Sequence, residues 1–322
     1  MKPPVFVTRQ IPAAGLDRIQ QACAADVWPG AMPPPYDELR RRVRGAHGLL
    51  CLLTDRVDAG LMDAAGPQLK VISQMAVGYD NVDVAAARAR GIAVGNTPGV
   101  LTEATADLAF ALLLAGARRL FEGAAYIRDG RWQTWEPMAL LGADLSGATL
   151  GLVGLGRIGR AVAKRAAGFD LRVLAHNPGM SPHEAAAAGA ALANLDTLLR
   201  EADFVSLHVP LNASTRHLMN RDRLALMKPT ALLINTARGP VVDQPALVEA
   251  LRNGVIGGAA LDVTDPEPLP ADDPLLALPN ALVVPHIGSA SRRTRDRMAQ
   301  IAAENLLAGV RGEPLPHAVA AP

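Results

Sequence analysis

The glycines of Gly154-Leu155-Gly156-Arg157-Ile158-Gly159 have a spacing that can bind phosphate. They follow a short apolar run, Thr149 to Val153, and open an amphipathic run in which Ile158, Ala161, Val162 and Ala166 recur near helical spacing. In that strand–turn–helix setting Gly154 permits a tight turn, Gly156 lets the backbone approach a pyrophosphate, and Gly159 lets helix and strand pack closely. The first N–H groups of the helix and its positive dipole end then hold the phosphates. The context favours a dinucleotide site over a glycine-rich turn in an ordinary α/β domain.

Three further stretches carry polar and charged groups at the ends of apolar runs. They are Asn235-Thr236-Ala237-Arg238-Gly239, Asp262-Val263-Thr264-Asp265-Pro266-Glu267-Pro268 and Pro285-His286-Ile287-Gly288-Ser289. Ligands of open α/β sheets lie outside the carboxyl ends of the strands. Singly, an Arg after a strand is usually a salt-bridge partner and a lone His is usually structural. Three such ends at the mouth of one dinucleotide cleft point to a site. Nothing has metal-ligand spacing, and no metal is expected.

The elements that must position these groups alternate in a β-α rhythm. Strands are expected at Val5–Thr8, Asp26–Trp28, Gly48–Leu53, Lys70–Val77 and Ile92–Gly95, with helices at Ala14–Ala24, Tyr36–Arg44 and Asp83–Arg90 between them. A run from Leu101 to Leu120 is apolar nearly all round, capped by Thr102 or Thr105, and should be buried between domains or at a subunit contact. A second β-α series starts at the glycine turn, with strands at Leu171–Ala175, Phe204–Val209, Ala231–Asn235, Gly258–Asp262 and Leu282–Val284. A last helix from Thr294 to about Gly309 returns to the first domain. The prediction is α/β: two doubly wound parallel-sheet domains, the cofactor domain inserted between two halves of the other. Tyr126, Trp132 and Trp135 lie in a chain with few aromatics, and suit a structural or interface role.

Composition narrows the class. A chain of 322 residues favours two domains, and an interior with 50% hydrophobic but 3% aromatic residues is aliphatic, as covered parallel sheets require. A net charge of +1 with one local cluster, Arg40-Arg41-Arg42-Val43-Arg44, suits a solvated face and gives no nucleic-acid patch. Cys23 and Cys51 form no disulfide framework, and Cys51 reads as a buried small hydrophobe. There is no signal-peptide pattern and no apolar run long enough for a membrane span, so a cytoplasmic protein is expected.

The chain resembles the D-isomer-specific 2-hydroxyacid dehydrogenases, and within them the glyoxylate/hydroxypyruvate reductases. The matching stretches are Ala76-Val77-Gly78-Tyr79-Asp80-Asn81, Asn96 to Asp107, Gly154 to Gly159, His208-Val209-Pro210-Leu211, Asn235 to Gly239, and Asp265 to His286. The resemblance implies a Rossmann NAD(P)-binding domain at 100–288, inserted into a flavodoxin-like substrate domain made of 1–99 and 289–322. It also implies a homodimer formed through the helical segment after the first crossover. A cofactor-binding corepressor shares the architecture, so an NAD-sensing binding protein stays open as an alternative. Another D-2-hydroxyacid specificity, such as phosphoglycerate or a bulkier 2-oxo acid, is the second alternative.

For the site, the resemblance implies that His286 gives a proton to the carbonyl oxygen of a small 2-oxo acid as hydride reaches its carbon. Glu267 would orient the imidazole and stabilise its charged form, and Arg238 would hold the substrate carboxylate. The N–H groups of Val77 and Gly78 would receive the carboxylate's other side, placing the reaction between domains. Formate dehydrogenases of the same superfamily lack the Glu beside the His, so Glu267 argues for 2-oxo acid reduction. Cofactor contacts are expected from Thr105, Gly154, Leu155, Gly156, Arg157, Ile158, Gly159, Asn177, His208, Val209, Pro210, Thr236, Ala237, Arg238, Asp262, His286 and Gly288. Asn177 stands where NAD-preferring relatives carry an Asp, and Pro178 where NADP-preferring ones carry an Arg. Asn can bond a ribose hydroxyl and does not repel a phosphate as a carboxylate would; His176 and Arg157 could offset phosphate charge. NAD is the favoured cofactor, with NADP the alternative.

Overall fold

The computed structural model describes residues 1–319. By internal contacts the chain divides into two units, Met1–Leu101 with the segment from Ala290 onward, and Thr102–Ser289.

The first unit holds β1 (Pro4–Val7), β2 (Ala24–Val27), β3 (Gly48–Cys51), β4 (Val71–Gln74) and β5 (Ala93–Gly95) in the order β2-β1-β3-β4-β5. All pairs are parallel, the flavodoxin-like arrangement. Its two faces carry separate aliphatic layers. Phe6, Leu49 and Ile72 pack with Leu39, Leu61 and Met62 on one side, while Val5, Val7, Leu50 and Val71 meet Leu16, Ile19, Ala302 and Leu306 on the other. The second layer holds the chain's last helix, Arg292–Arg311, in this unit; it packs on β3, β4 and the Ala13–Ala22 helix. At Gly15 a Cβ would stand 2.2 Å from the Ala299 carbonyl oxygen, so the two helices meet backbone to backbone.

The second unit holds β6 (Thr149–Val153), β7 (Arg172–His176), β8 (Ala191–Leu192), β9 (Phe204–Leu207), β10 (Leu232–Asn235), β11 (Gly258–Leu261) and β12 (Ala281–Val283), ordered β12-β11-β10-β9-β6-β7-β8 and all parallel. Successive side chains alternate between two cores. Leu150, Leu152, Phe204, Leu232 and Ile234 face one layer, and Val153, Val205, Leu207 and Leu233 the other.

Several elements differ from expectation. The short edge strand β8 and the Ala59–Ala65 helix carry too little periodicity to stand out in the sequence. Helix Thr102–Ala117 packs on β10, β11 and the Arg157–Ala166 helix of its own unit, and its all-round apolar character supplies that covering layer. Thr102 is the helix's first residue rather than its cap, and Thr105 turns its hydroxyl to the carbonyl of Gly288, 3.3 Å away. The strand expected at 70–77 stops at Gln74, because the carbonyls of Ala76, Val77 and Gly78 are taken by Thr97, Asn96 and Gln74 instead of a neighbouring strand.

Candidate active site

In the second sheet β6 is flanked by β7 on one side and β9 on the other, the point at which strand order reverses and a crevice opens. Gly154 leaves β6 there with φ +97°, and a Cβ on it would lie 2.8 Å from the carbonyl carbon and oxygen of His208, just past β9. A Cβ on Gly159 would lie 2.2 Å from the Gly154 carbonyl oxygen, so the first turn of the helix closes directly over the loop. Gly156 is different: nothing stands within 4 Å of its Cβ position. It caps the Arg157–Ala166 helix with no side-chain bond, so the first-turn N–H groups, those of Arg157 and Ile158 included, have no capping side chain. That open cradle fits the pyrophosphate of a dinucleotide.

The other expected cofactor residues surround it. Asn177 opens the loop after β7 and its Oδ1 accepts from Leu155 N at 2.9 Å. Leu155 itself is buried in the core, so its side chain serves packing and its N–H serves Asn177. Arg157 is exposed at the helix start, Ile158 is half-buried, and Pro210 lies exposed beyond the half-buried Val209. His208 Nε2 lies 2.9 Å from Ser206 Oγ, while its Nδ1 is buried with no partner. Thr236 Oγ1, past β10, is likewise buried and unpaired. Two orphaned polar atoms at the ends of adjacent strands are what a bound polar ligand would satisfy. Burial alone pushes the His208 imidazole down to about 4, so it is neutral at ordinary pH.

The charged strand ends meet along the same edge. Asn235, fully buried, accepts from Ala237 N at 3.0 Å and donates to the Arg238 carbonyl at 2.9 Å, which shapes the turn carrying Arg238. One guanidinium nitrogen of Arg238 donates to the Ala237 carbonyl at 2.8 Å. A Cβ on Gly239 would stand 1.8 Å from the Thr264 carbonyl oxygen, so this turn and the one after β11 are in backbone contact. Asp262 closes the set: one carboxylate oxygen accepts from Ile287 N at 2.6 Å and the other from Gly288 N at 2.9 Å. Burial raises the Asp262 carboxyl, and the two N–H donors and nearby His286 oppose this only in part. His286 has φ +51°, an uncommon conformation for a side-chain-bearing residue, and its Nδ1 bonds a carboxylate oxygen of Glu267. Its Nε2 has no protein partner among the described residues.

In the first unit the switch point lies between β1 and β3. Thr8, past β1, donates to a carboxylate oxygen of Asp55, which also accepts from Leu52 N at 2.7 Å. Val77 and Gly78 form a half-buried loop beside this cluster, past β4. Sequence reasoning gave no role to Asn235, Gln74 or Asn96. Their only signal is a carboxamide at or just past a strand end.

Residues 110–288 match the model of the D-isomer specific 2-hydroxyacid dehydrogenase NAD binding domain. A glyoxylate reductase of Korarchaeum cryptofilum is 52% identical over 99% of this chain and 96% of its own. The crystal structure of the TT0316 protein from Thermus thermophilus superposes with a TM-score of 0.92 at 56% identity, covering 98% of this chain and all of the other. An NADPH-dependent glyoxylate/hydroxypyruvate reductase from Sinorhizobium meliloti, crystallised with NADP and malonate, gives a TM-score of 0.84 at 35% identity over 99% of this chain and 97% of its own. The chain belongs to the D-isomer-specific 2-hydroxyacid dehydrogenase family. It is an NAD(P)-dependent oxidoreductase.

Because His208 is neutral when folded and ordinary when unfolded, the unfolded chain takes up its proton first as pH falls from 6.5 towards about 4. Stability is therefore lost across that window, with none lost to this group above it. In urea titrations over that range, His208→Gln should lose less stability than the wild type; equal losses would show that His208 is not buried as described.

Proposed function

We propose that the protein reduces glyoxylate and hydroxypyruvate to glycolate and D-glycerate. The observation that carries this is His286, held at Nδ1 by Glu267 on the edge that bears the open glycine cradle. With the Nδ1 proton pinned to a carboxylate, Nε2 is the atom that gains and loses a proton. His286 Nε2 gives that proton to the carbonyl oxygen of the substrate, and Glu267 fixes the tautomer and the ring orientation. Arg238 holds the substrate carboxylate with its planar fork, and the N–H groups of Val77 and Gly78 add donors to it. The nicotinamide, when bound, supplies the hydride that reduces the carbonyl carbon. The glycine loop, the first turn of its helix and the 208–210 segment hold the rest of the cofactor. The relatives named above support the substrate class.

Cofactor choice follows from Asn177. Its oxygen is committed to Leu155 N, so the remaining polar end is an amide that donates and carries no charge. Such a group serves a ribose hydroxyl or a 2′-phosphate, and we assign use of both NADH and NADPH.

The surface supports a reading of the oligomeric state. Leu120, Phe121, Ile127, Trp132, Trp135, Met138 and Leu141 are exposed large hydrophobics within one stretch, Trp135 at 80%. Most of the large exposed apolar side chains among the described residues thus sit between residues 120 and 141, a concentration that supports an interface. We assign a homodimer formed there, in the cytoplasm, where free buried Cys23 and Cys51 stay reduced. Among the described residues no helix is long and apolar enough to cross a membrane.

His286→Ala should lower kcat for glyoxylate by about a thousandfold while NADPH binding, followed by fluorescence, is retained. Wild-type cofactor binding without turnover of glyoxylate, hydroxypyruvate, pyruvate or phenylpyruvate would sink the reductase reading. Asn177→Asp should raise KM for NADPH by at least about tenfold and leave that for NADH near wild type, since only the phosphate meets the new charge. Equal changes for both cofactors would refute the assignment. Light scattering of activity purified from the soluble cell fraction should give twice 33.7 kDa, and a Trp135→Arg variant should shift towards monomer; a monomeric wild type would remove the dimer.

A further inference from the structure

The loop after β4 leaves the sheet with three successive carbonyls occupied. Ala76 O accepts from Thr97 N at 2.9 Å, Val77 O from Asn96 Nδ2 at 2.8 Å, and Gly78 O from Gln74 Nε2 at 3.3 Å. In a trans peptide the C=O and the following N–H share one plane and point in opposite directions. Holding the Ala76 carbonyl therefore aims the Val77 N–H, and holding the Val77 carbonyl aims the Gly78 N–H. Neither N–H donates to a protein group among the described residues. These are the two donors given to the substrate carboxylate above, and successive free N–H groups in a bend make an anion-binding concavity.

We propose that Asn96 is a positioning residue for substrate binding: its side-chain amide sets the direction in which the Gly78 N–H meets the carboxylate. The inference rests on the reductase reading and on the role given there to Val77 and Gly78. Asn96 suits the task because its own backbone is held at both ends. Its N–H donates to the His317 carbonyl at 3.1 Å, and its carbonyl accepts from Asn305 Nδ2 at 2.9 Å. Asn305 is fully buried in the last helix, and its Oδ1 accepts from His317 N at 3.0 Å. Only the nitrogen end of the Asn96 amide can face a carbonyl, so the side chain has one productive orientation. Gln74 is braced in turn: its Nε2 also donates to Asn81 Oδ1 at 2.8 Å, and Asn81 Nδ2 donates to the carbonyls of Leu52 and Asp55 at 3.0 and 2.8 Å. The loop is thus fixed from β3, β5 and the last helix before any ligand arrives.

The test compares Asn96→Ala and Asn96→Asp with wild type in glyoxylate and NADPH kinetics and thermal melting. The aspartate keeps the volume and removes the donor, so it covers the case in which the alanine variant fails to fold. Both should raise KM for glyoxylate by about tenfold, with kcat and KM for NADPH within about twofold of wild type, the signature of lost binding rather than lost chemistry. Folded variants with wild-type KM for glyoxylate would overturn the proposal. So would a loss shared equally by kcat and both KM values, since that marks general disruption. A wild-type enzyme that does not turn over glyoxylate would overturn the reductase reading itself, and the proposal with it, an outcome visible before any variant is measured.

Discussion

Parallel pairing of every strand in the second sheet sends all their carboxyl ends to one edge, and the site depends on that. Because β7 and β9 lie on opposite sides of β6, the connections leaving β6 and β9 part company and leave a crevice between them. Gly154, His208, Arg238, Asp262 and His286 then share one edge although they are spread along much of the chain. Aliphatic layers on both faces pay for this arrangement, since a parallel sheet must be covered on each side. The turns at the edge are left to carry the polar groups.

Those turns face a problem of hydrogen-bond accounting. A loop that keeps N–H groups open for a ligand cannot also satisfy itself through a regular backbone ladder. In both units, side-chain carboxamides and carboxylates take over. Asn235 both donates and accepts within the Arg238 turn, Asn177 accepts from the glycine loop, and Asp262 accepts from Ile287 and Gly288. Asn96, Gln74 and Asn81 do the same around Val77 and Gly78. A carboxamide is suited to this because it donates and accepts without bringing a charge into a partly buried turn.

The division between what was legible in the sequence and what was not follows the range of the interactions. Apolar runs set by burial on both sheet faces were readable, as was the glycine motif, whose three roles are all local to one strand–turn–helix. Strand ends ran too long at Val77 and Val209, because a carbonyl's partner across the fold decides where pairing stops. The side chain of Leu155 fills the core and its N–H meets Asn177, 22 residues on, a pairing with no local sequence signal. Asn96 was visible as part of a familiar stretch, but its bond to Val77 spans 19 residues and has no sequence period. Carboxamide braces of this kind are geometric facts and leave no pattern in one chain.

The imidazole proposed as the acid shows the same logic under strain. His286 sits at φ +51°, a conformation that costs free energy in a residue with a Cβ and persists only where its surroundings impose it. Its own N–H bonds the Asp262 carbonyl at 2.9 Å, while the next two N–H groups bond the Asp262 carboxylate. One residue thus holds three consecutive backbone donors, and Glu267 holds the ring. Burial that disfavours the Asp262 charge is the cost of putting the anchor at the root of the turn rather than on the surface. For the reduction proposed, the return is an imidazole whose direction is set before substrate binds, which leaves little ordering for the moment of transfer.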